Sequence, residues 1–283
     1  MSVRGTPGLR VHPPLRRRPC GSVRALPTLP FTEVVDVLRA AGCVFAEDEA
    51  RLLVDTSPTP DDLAALVERR VAGEPLEHVL GWAEFCGRRV AVDPGVFVPR
   101  RRTELLVHLA TALLRPGGVV VELCCGTAAV ATALAASVPG LAVHAADVDP
   151  AAVRCARRNL DPFGGRVYEG DLDDPLPDEL RGRVDVVVAN APYVPSAAIA
   201  LMPPEARDHE PAVALDGGVD GLDVQRRVAA AAPRWLAPGG SLLVETSVRQ
   251  APLTVAAVSA AGLTPRVERD DDRDGTAVVG VRP

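Results

Sequence analysis

Val119-Val-Val-Glu-Leu-Cys-Cys-Gly-Thr-Ala-Ala-Val130 decides the fold. An apolar run of strand length breaks at a small-residue turn around Gly126 and reopens as an Ala-rich helix. In an open α/β sheet this is where a nucleotide-like ligand sits, outside the carboxyl ends of the strands. The turn lacks the G-x-G-x-x-G spacing, so a dinucleotide fingerprint is not supported. Outward from this unit the pattern keeps alternating. Apolar strands are expected at 141–146, 184–189 and 241–245, with helices around 128–136, 150–159 and 222–235 between them. Continuous apolar strands separated by helices indicate a parallel sheet covered on both faces. Two last stretches, 264–267 and 276–281, leave no room for a helix between them and predict an antiparallel hairpin at the sheet's end.

The rest of the chain reads differently. Residues 1–30 hold six Arg and no acid, are rich in Pro and lack periodicity, and are expected to be disordered; a dispensable extension is favoured over a nucleic-acid arm. Residues 31–80 predict a small helical domain: a helix capped by Thr32, a second over 47–54 and a third over 60–71. Residues 81–102 read as a linker, with two short strands bracketing Asp93-Pro94-Gly95 as a β-hairpin. A helix over 103–114, with Glu104 in its first turn, then opens the main domain, 103–283.

Composition narrows the function. With 47% hydrophobic and 24% charged residues the chain is a folded globular protein. All 31 basic residues are Arg, and the net charge is −6, so the part beyond residue 30 carries −12. An acidic body with 3% aromatics argues against stable binding of nucleic acid. Six Cys contain no C-x-x-C pair, which removes zinc ribbons and thioredoxin-like chemistry. Vicinal Cys124 and Cys125 are expected to be reduced, which points to the cytoplasm. No apolar run reaches membrane-spanning length. Asp270, Asp271, Asp272 and Asp274 read as a solvated loop, and no metal site is expected.

Three further segments carry candidate chemistry. Asp147 ends the strand after the Gly turn, about 20 residues on, where an acid can accept both ribose hydroxyls of an adenosine. Asp149-Pro150 caps the following helix. Asp171 can take an adenine amino group while Leu172 packs on the ring. The deciding segment is Val186-Val-Val-Ala-Asn-Ala-Pro-Tyr193, an Asn-x-Pro-Tyr directly after a buried strand. A planar amide or amino nitrogen has little lone-pair density to offer a sulfonium methyl. The Asn190 side-chain oxygen and the Ala191 carbonyl can accept its two N–H groups and aim it. Pro192 stiffens the loop and Tyr193 can stack on the planar group.

Taken together, these segments resemble the protein N5-glutamine methyltransferase (HemK-like) family, which modifies the Gly-Gly-Gln glutamine of peptide chain release factors. The resemblance spans nearly everything after residue 32. It includes Gly73-Glu-Pro-Leu76, Val98-Pro-Arg100 to Glu104, Glu122 to Thr127, Asp147, Asn190 to Tyr193, His209-Glu-Pro211, Leu215 to Leu222, and Glu245 with Gln250. It implies a Rossmann-like S-adenosylmethionine-dependent methyltransferase sheet, mostly parallel with an antiparallel end. It also implies a helical domain that grips the release factor. Glu122, Cys124, Cys125, Gly126, Thr127, Ala128, Asp147, Asp171, Leu172 and Asn190 are the candidates for holding the cofactor. Asn190, Ala191, Pro192 and Tyr193 are the candidates for holding the acceptor, with Asn190, Pro192 and Tyr193 the catalytic set. The chain departs from the family where Ala191 replaces the first proline of Asn-Pro-Pro-Tyr, where Cys124 and Ala128 flank the single Gly126, and in its short helical region. Arg100, Arg101 and Arg102 read either as cofactor or substrate contacts or as a solvated turn. His209 and Glu210 can line the substrate entrance, and Glu245 either approaches the site or makes a structural hydrogen bond. Alternative activities are N6-adenine-type methylation of nucleic acid and S-adenosylmethionine binding without catalysis.

Overall fold

The computed structural model describes residues 30–283. The expectation for residues 1–30 lies, save Pro30, outside the described residues. Helices α1 (Phe31–Ala40), α2 (Ala46–Thr56), α3 (Pro60–Val71) and α4 (Leu76–Leu80) come first. Leu38, Leu53, Leu63, Val67 and Val79 close one apolar cluster among them. Thr32 does not cap α1: the helix already includes Phe31, and the capping position falls on Pro30, which has no side-chain acceptor.

The hairpin differs from the expected one. Strands β1 (Trp82–Phe85) and β2 (Arg88–Ala91) pair antiparallel, Trp82 against Ala91 and Phe85 against Arg88. Their turn is Cys86-Gly87, both at positive φ, the requirement of a two-residue type I′ turn. Asp93-Pro94-Gly95 instead makes a bend after β2, closed by the Val96 amide donating to the Asp93 carbonyl. Proline has no N–H for a ladder, so the Asp93 segment leaves the ribbon.

The main sheet has seven strands in the order β5-β4-β3-β6-β7-β9-β8. These are β3 (Val119–Leu123), β4 (Ala142–Asp147), β5 (Arg166–Glu169), β6 (Val184–Ala189), β7 (Leu236–Glu245), β8 (Thr264–Asp270) and β9 (Gly275–Val281). The first five are parallel; β9 inserts antiparallel between β7 and β8. Central strands β3 and β6 are buried on both faces, which is why they read as unbroken Val runs. On the sheet's faces lie α5 (Glu104–Leu113), α6 (Ala129–Ser137), α7 (Pro150–Leu160), α10 (Asp223–Trp235) and α11 (Ala251–Ala260). The α11 helix was not expected. Its sequence is apolar on nearly every side, so no stripe marks it. Two short helices, α8 (Pro204–His209) and α9 (Ala212–Leu215), lie between β6 and α10. The order reverses between β3 and β4 on one side and β3 and β6 on the other, which opens the crevice that α/β sheets use for ligands.

Candidate functional site

A cleft of about 620 Å³ opens at the carboxyl ends of β3, β4, β5 and β6. The turn after β3 forms its floor. Cys124, Gly126 and Ala128 all have left-handed φ, +53°, +52° and +56°. For Cys124 and Ala128 that conformation costs roughly 1–2 kcal/mol each, so strain is stored in the turn itself. Leu172, after β5, shares this feature at +50° and borders the same cleft.

Each acidic candidate has a definite partner. Asp147, at the end of β4, accepts from the Gly126 amide at 2.8 Å and, through its other oxygen, from the Asp149 amide at 2.9 Å. One carboxylate thereby ties the β3 turn to the β4 turn, and burial pushes its pKa up. Asp149 accepts from the Ala151 amide at 2.8 Å and caps α7, with Pro150 in first position. Glu122, buried within β3, accepts from the Ala131 amide at 2.8 Å and so holds the first turn of α6. Burial raises its pKa to about 8. Asp171 is exposed and pairs with Arg227 of α10 at 2.7 Å.

The Asn190-Ala-Pro-Tyr193 loop borders the same cleft at the end of β6, the strand parallel to and beside β3. The Asn190 amide nitrogen faces Thr103 Oγ1 at 3.4 Å, longer than an ordinary hydrogen bond. Its oxygen, like the Ala191 carbonyl, accepts no hydrogen bond from another described residue. Tyr193 is held from outside the loop. Its hydroxyl donates to Glu245 Oε1 (3.1 Å) and accepts from Arg102 Nε (3.0 Å), and Arg102 also donates to Glu245 at 3.0 Å. Burial beside Glu245 pushes the phenol to about 12, so it remains a donor at neutral pH.

All the candidate cofactor and acceptor residues except Ala128 border this cleft; Ala128 is fully buried beneath the turn. The three arginines separate. Arg100 pairs with buried Glu210 at 2.5 Å, Arg102 joins the Tyr193 group, and Arg101 is exposed. Glu210 also accepts from the Val98 amide at 3.1 Å, so it anchors the segment entering α5 as well as bordering the cleft. Phe97, Met202 and Val213 line the cleft without having been singled out. Phe97 lies beneath the Arg100 guanidinium, 5.0 Å from it, and the neighbouring Val98-Pro-Arg segment was its only signal. Seven acids and three arginines line the cleft; even with Glu122 protonated near neutral pH the acids outnumber the arginines, a field that favours a cationic ligand. Among the described residues no group of His, Cys, Asp or Glu has the arrangement of a metal site.

Comparison with known proteins gives this geometry a family. Residues 88–202 match the family described as Methyltransferase small domain. The chain is 39% identical over 233 residues to the release factor glutamine methyltransferase of Geobacter sulfurreducens, an alignment covering 81% of each chain. This chain belongs to the release factor glutamine methyltransferase family. Another relative of this family member is the 4-amino-L-phenylalanine/4-methylamino-L-phenylalanine methyltransferase of Streptomyces pristinaespiralis, 42% identical over 66% of each chain. A methyltransferase structure from Pyrococcus furiosus shares the fold, with a TM-score of 0.53 at 17% identity over 70% of this chain and 90% of that one. The Rossmann-like methyltransferase sheet expected from the sequence is therefore borne out.

Proposed function

We propose that this chain transfers a methyl group from S-adenosylmethionine to the side-chain amide nitrogen of a glutamine, the Gly-Gly-Gln glutamine of a peptide chain release factor. The observation that carries the reading is the pair of unengaged acceptors, Asn190 Oδ1 and the Ala191 carbonyl, at the end of the strand beside the β3 turn. Family membership supplies the reaction class.

The residues present fit the cofactor. Asp147 spends one lone pair of each oxygen on a backbone amide, and the outward lone pairs remain for two ribose hydroxyls. Leu172 offers an apolar surface to an adenine ring, with Asp171 at its edge. The acidic cleft suits the positive charge, and its volume suits a ligand of this size. S-adenosylmethionine supplies a methyl group activated by a sulfonium. Asn190 and Ala191 accept the two amide N–H bonds and fix the direction of the nitrogen. As charge develops on that nitrogen, the same two oxygens stabilise it. Pro192 holds the loop's φ, and the Tyr193 ring borders the acceptor plane. No side chain has to remove a proton before transfer: the nitrogen–methyl bond would form as the sulfur–methyl bond breaks, leaving a neutral thioether, and the N-methylated amide would then release one N–H proton to water.

Residues 31–80 are the candidate grip on the acceptor protein: Pro75 and Glu77 of this unit reach the cleft rim. The −12 body speaks against a nucleic-acid acceptor. No described helix is long and apolar enough to cross a membrane, and the five described cysteines are free thiols, which suits a reducing cytoplasm. The test is transfer of a radiolabelled methyl to purified release factor and to the same factor with its Gly-Gly-Gln glutamine replaced by alanine. Labelling is expected only on the first; equal labelling of both refutes the assignment.

A further inference from the structure

Tyr193 is gripped at its carbonyl as well as at its hydroxyl. The Gln250 carboxamide, just before α11, donates to the Tyr193 carbonyl at 2.9 Å and to the Asp220 carbonyl at 3.1 Å. Its oxygen accepts from Ser247 Oγ at 2.7 Å. Both N–H groups and the oxygen are thus used. A flipped amide would set its oxygen against two carbonyls, so only one orientation is possible. Gly221 closes the contact: a Cβ there would lie 2.3 Å from the Tyr193 oxygen and 2.4 Å from Gln250 Nε2.

The loop that Gln250 holds has one soft residue. Asn190 continues from β6 and Pro192 has a fixed φ, but Ala191 between them, although buried and restricted by the proline that follows it, has no ring to fix its own φ. Its N–H makes no hydrogen bond to a described residue. We infer that Gln250 is a positioning residue: it fixes the acceptor loop from behind and supplies the rigidity that Ala191 does not. The inference rests on reading Asn190–Tyr193 as the acceptor loop. It also makes a specific claim of coupling between two side chains that do not react. A ring closing φ at 191 should do part of the work of Gln250, because both restrict the same segment.

A double-mutant cycle on the full chain tests this, with purified release factor and labelled S-adenosylmethionine. In Gln250→Ala, kcat is expected to fall by about 100-fold, the penalty of misplacing a reacting group by about 1 Å. Cofactor Kd should stay within about twofold, since none of the bonds made by the Gln250 side chain involves the β3 turn. Adding Ala191→Pro to Gln250→Ala should recover about tenfold in kcat. No recovery, or a loss carried by cofactor affinity, overturns the inference. If Gln250→Ala does not fold, Ser247→Ala removes the bond that aims the carboxamide at 2.7 Å, together with the longer one its hydroxyl accepts from the Gln250 amide at 3.2 Å, and leaves the carboxamide itself in place. It should cost about tenfold and show the same recovery; unchanged kcat there is equally fatal. Asn190→Ala separates the two readings. Full activity in it defeats the acceptor-loop reading, whereas lost activity in it beside an intact Gln250→Ala defeats the positioning role alone.

Discussion

At the scale of single residues, Asn190 and Glu122 make opposite use of a polar side chain near a strand end. Asn190 leaves its oxygen free, and Asn190→Ala should lower transfer by about 100- to 1000-fold, as for loss of one preorganised polar contact to developing charge. Cofactor affinity measured by calorimetry should hardly change. Glu122 is consumed by the fold, its oxygen on the Ala131 amide. Its pKa is raised to about 8 from the ordinary 4.5 by burial, so between these values the folded protein holds a proton that the unfolded chain releases. Its contribution is therefore fully present below pH 4.5 and lost as pH rises toward 8. Glu122→Gln keeps the acceptor and removes the titration. The melting temperature of this variant relative to the parent should climb from pH 5 to pH 8; a constant difference would contradict the raised pKa.

At the scale of elements, the ends of strands and helices do the positioning. Asp149 caps α7 next to the turn that Asp147 braces, so one short segment both starts a helix and shapes the cleft wall. Asp149→Ala should cost about 1 kcal/mol in denaturant unfolding, the usual worth of such a cap. The Asp149 cap and the Val runs of β3 and β6 were legible because they depend on neighbours a few residues away, whereas Thr32 fell inside a helix that starts one residue earlier. The hairpin turn at Cys86-Gly87 and helix α11 were not. The first competes with a stronger local turn signal at Asp93-Pro94-Gly95, and the second lacks the polar stripe that marks a surface helix.

For the molecule as a whole, Arg70 is the link between the helical unit and the sheet domain. This buried side chain of α3 pairs with Glu49 of α2 at 2.6 Å and with Glu205 of α8 at 2.6 Å, and donates to the Glu74 carbonyl at 2.9 Å. Arg70→Met removes the bridge and leaves Glu49 buried without its cation. A loss of about 3 kcal/mol in stability is expected, typical of breaking a buried pair from one side. If residues 31–80 grip the acceptor protein, the KM for release factor should rise more than kcat falls in this variant. An unchanged KM would remove that role from the helical unit.

The sequence by itself determined the alternation of strand and helix, the doubly wound sheet and the two loops that follow its strands β3 and β6, because periodicity, turn chemistry and motif spacing are local properties. Only the tertiary structure decided how those loops are held. Arg102, Glu245 and Gln250 lie between 52 and 91 residues from Tyr193 along the chain, yet all three meet it. Nor could local pattern assign Arg100 to Glu210, 110 residues away, or Arg70 to Glu205, 135 away. Burial makes such pairings obligatory, since a charge or amide removed from water must find a partner; which partner it finds depends on where the packed elements bring the chain back together.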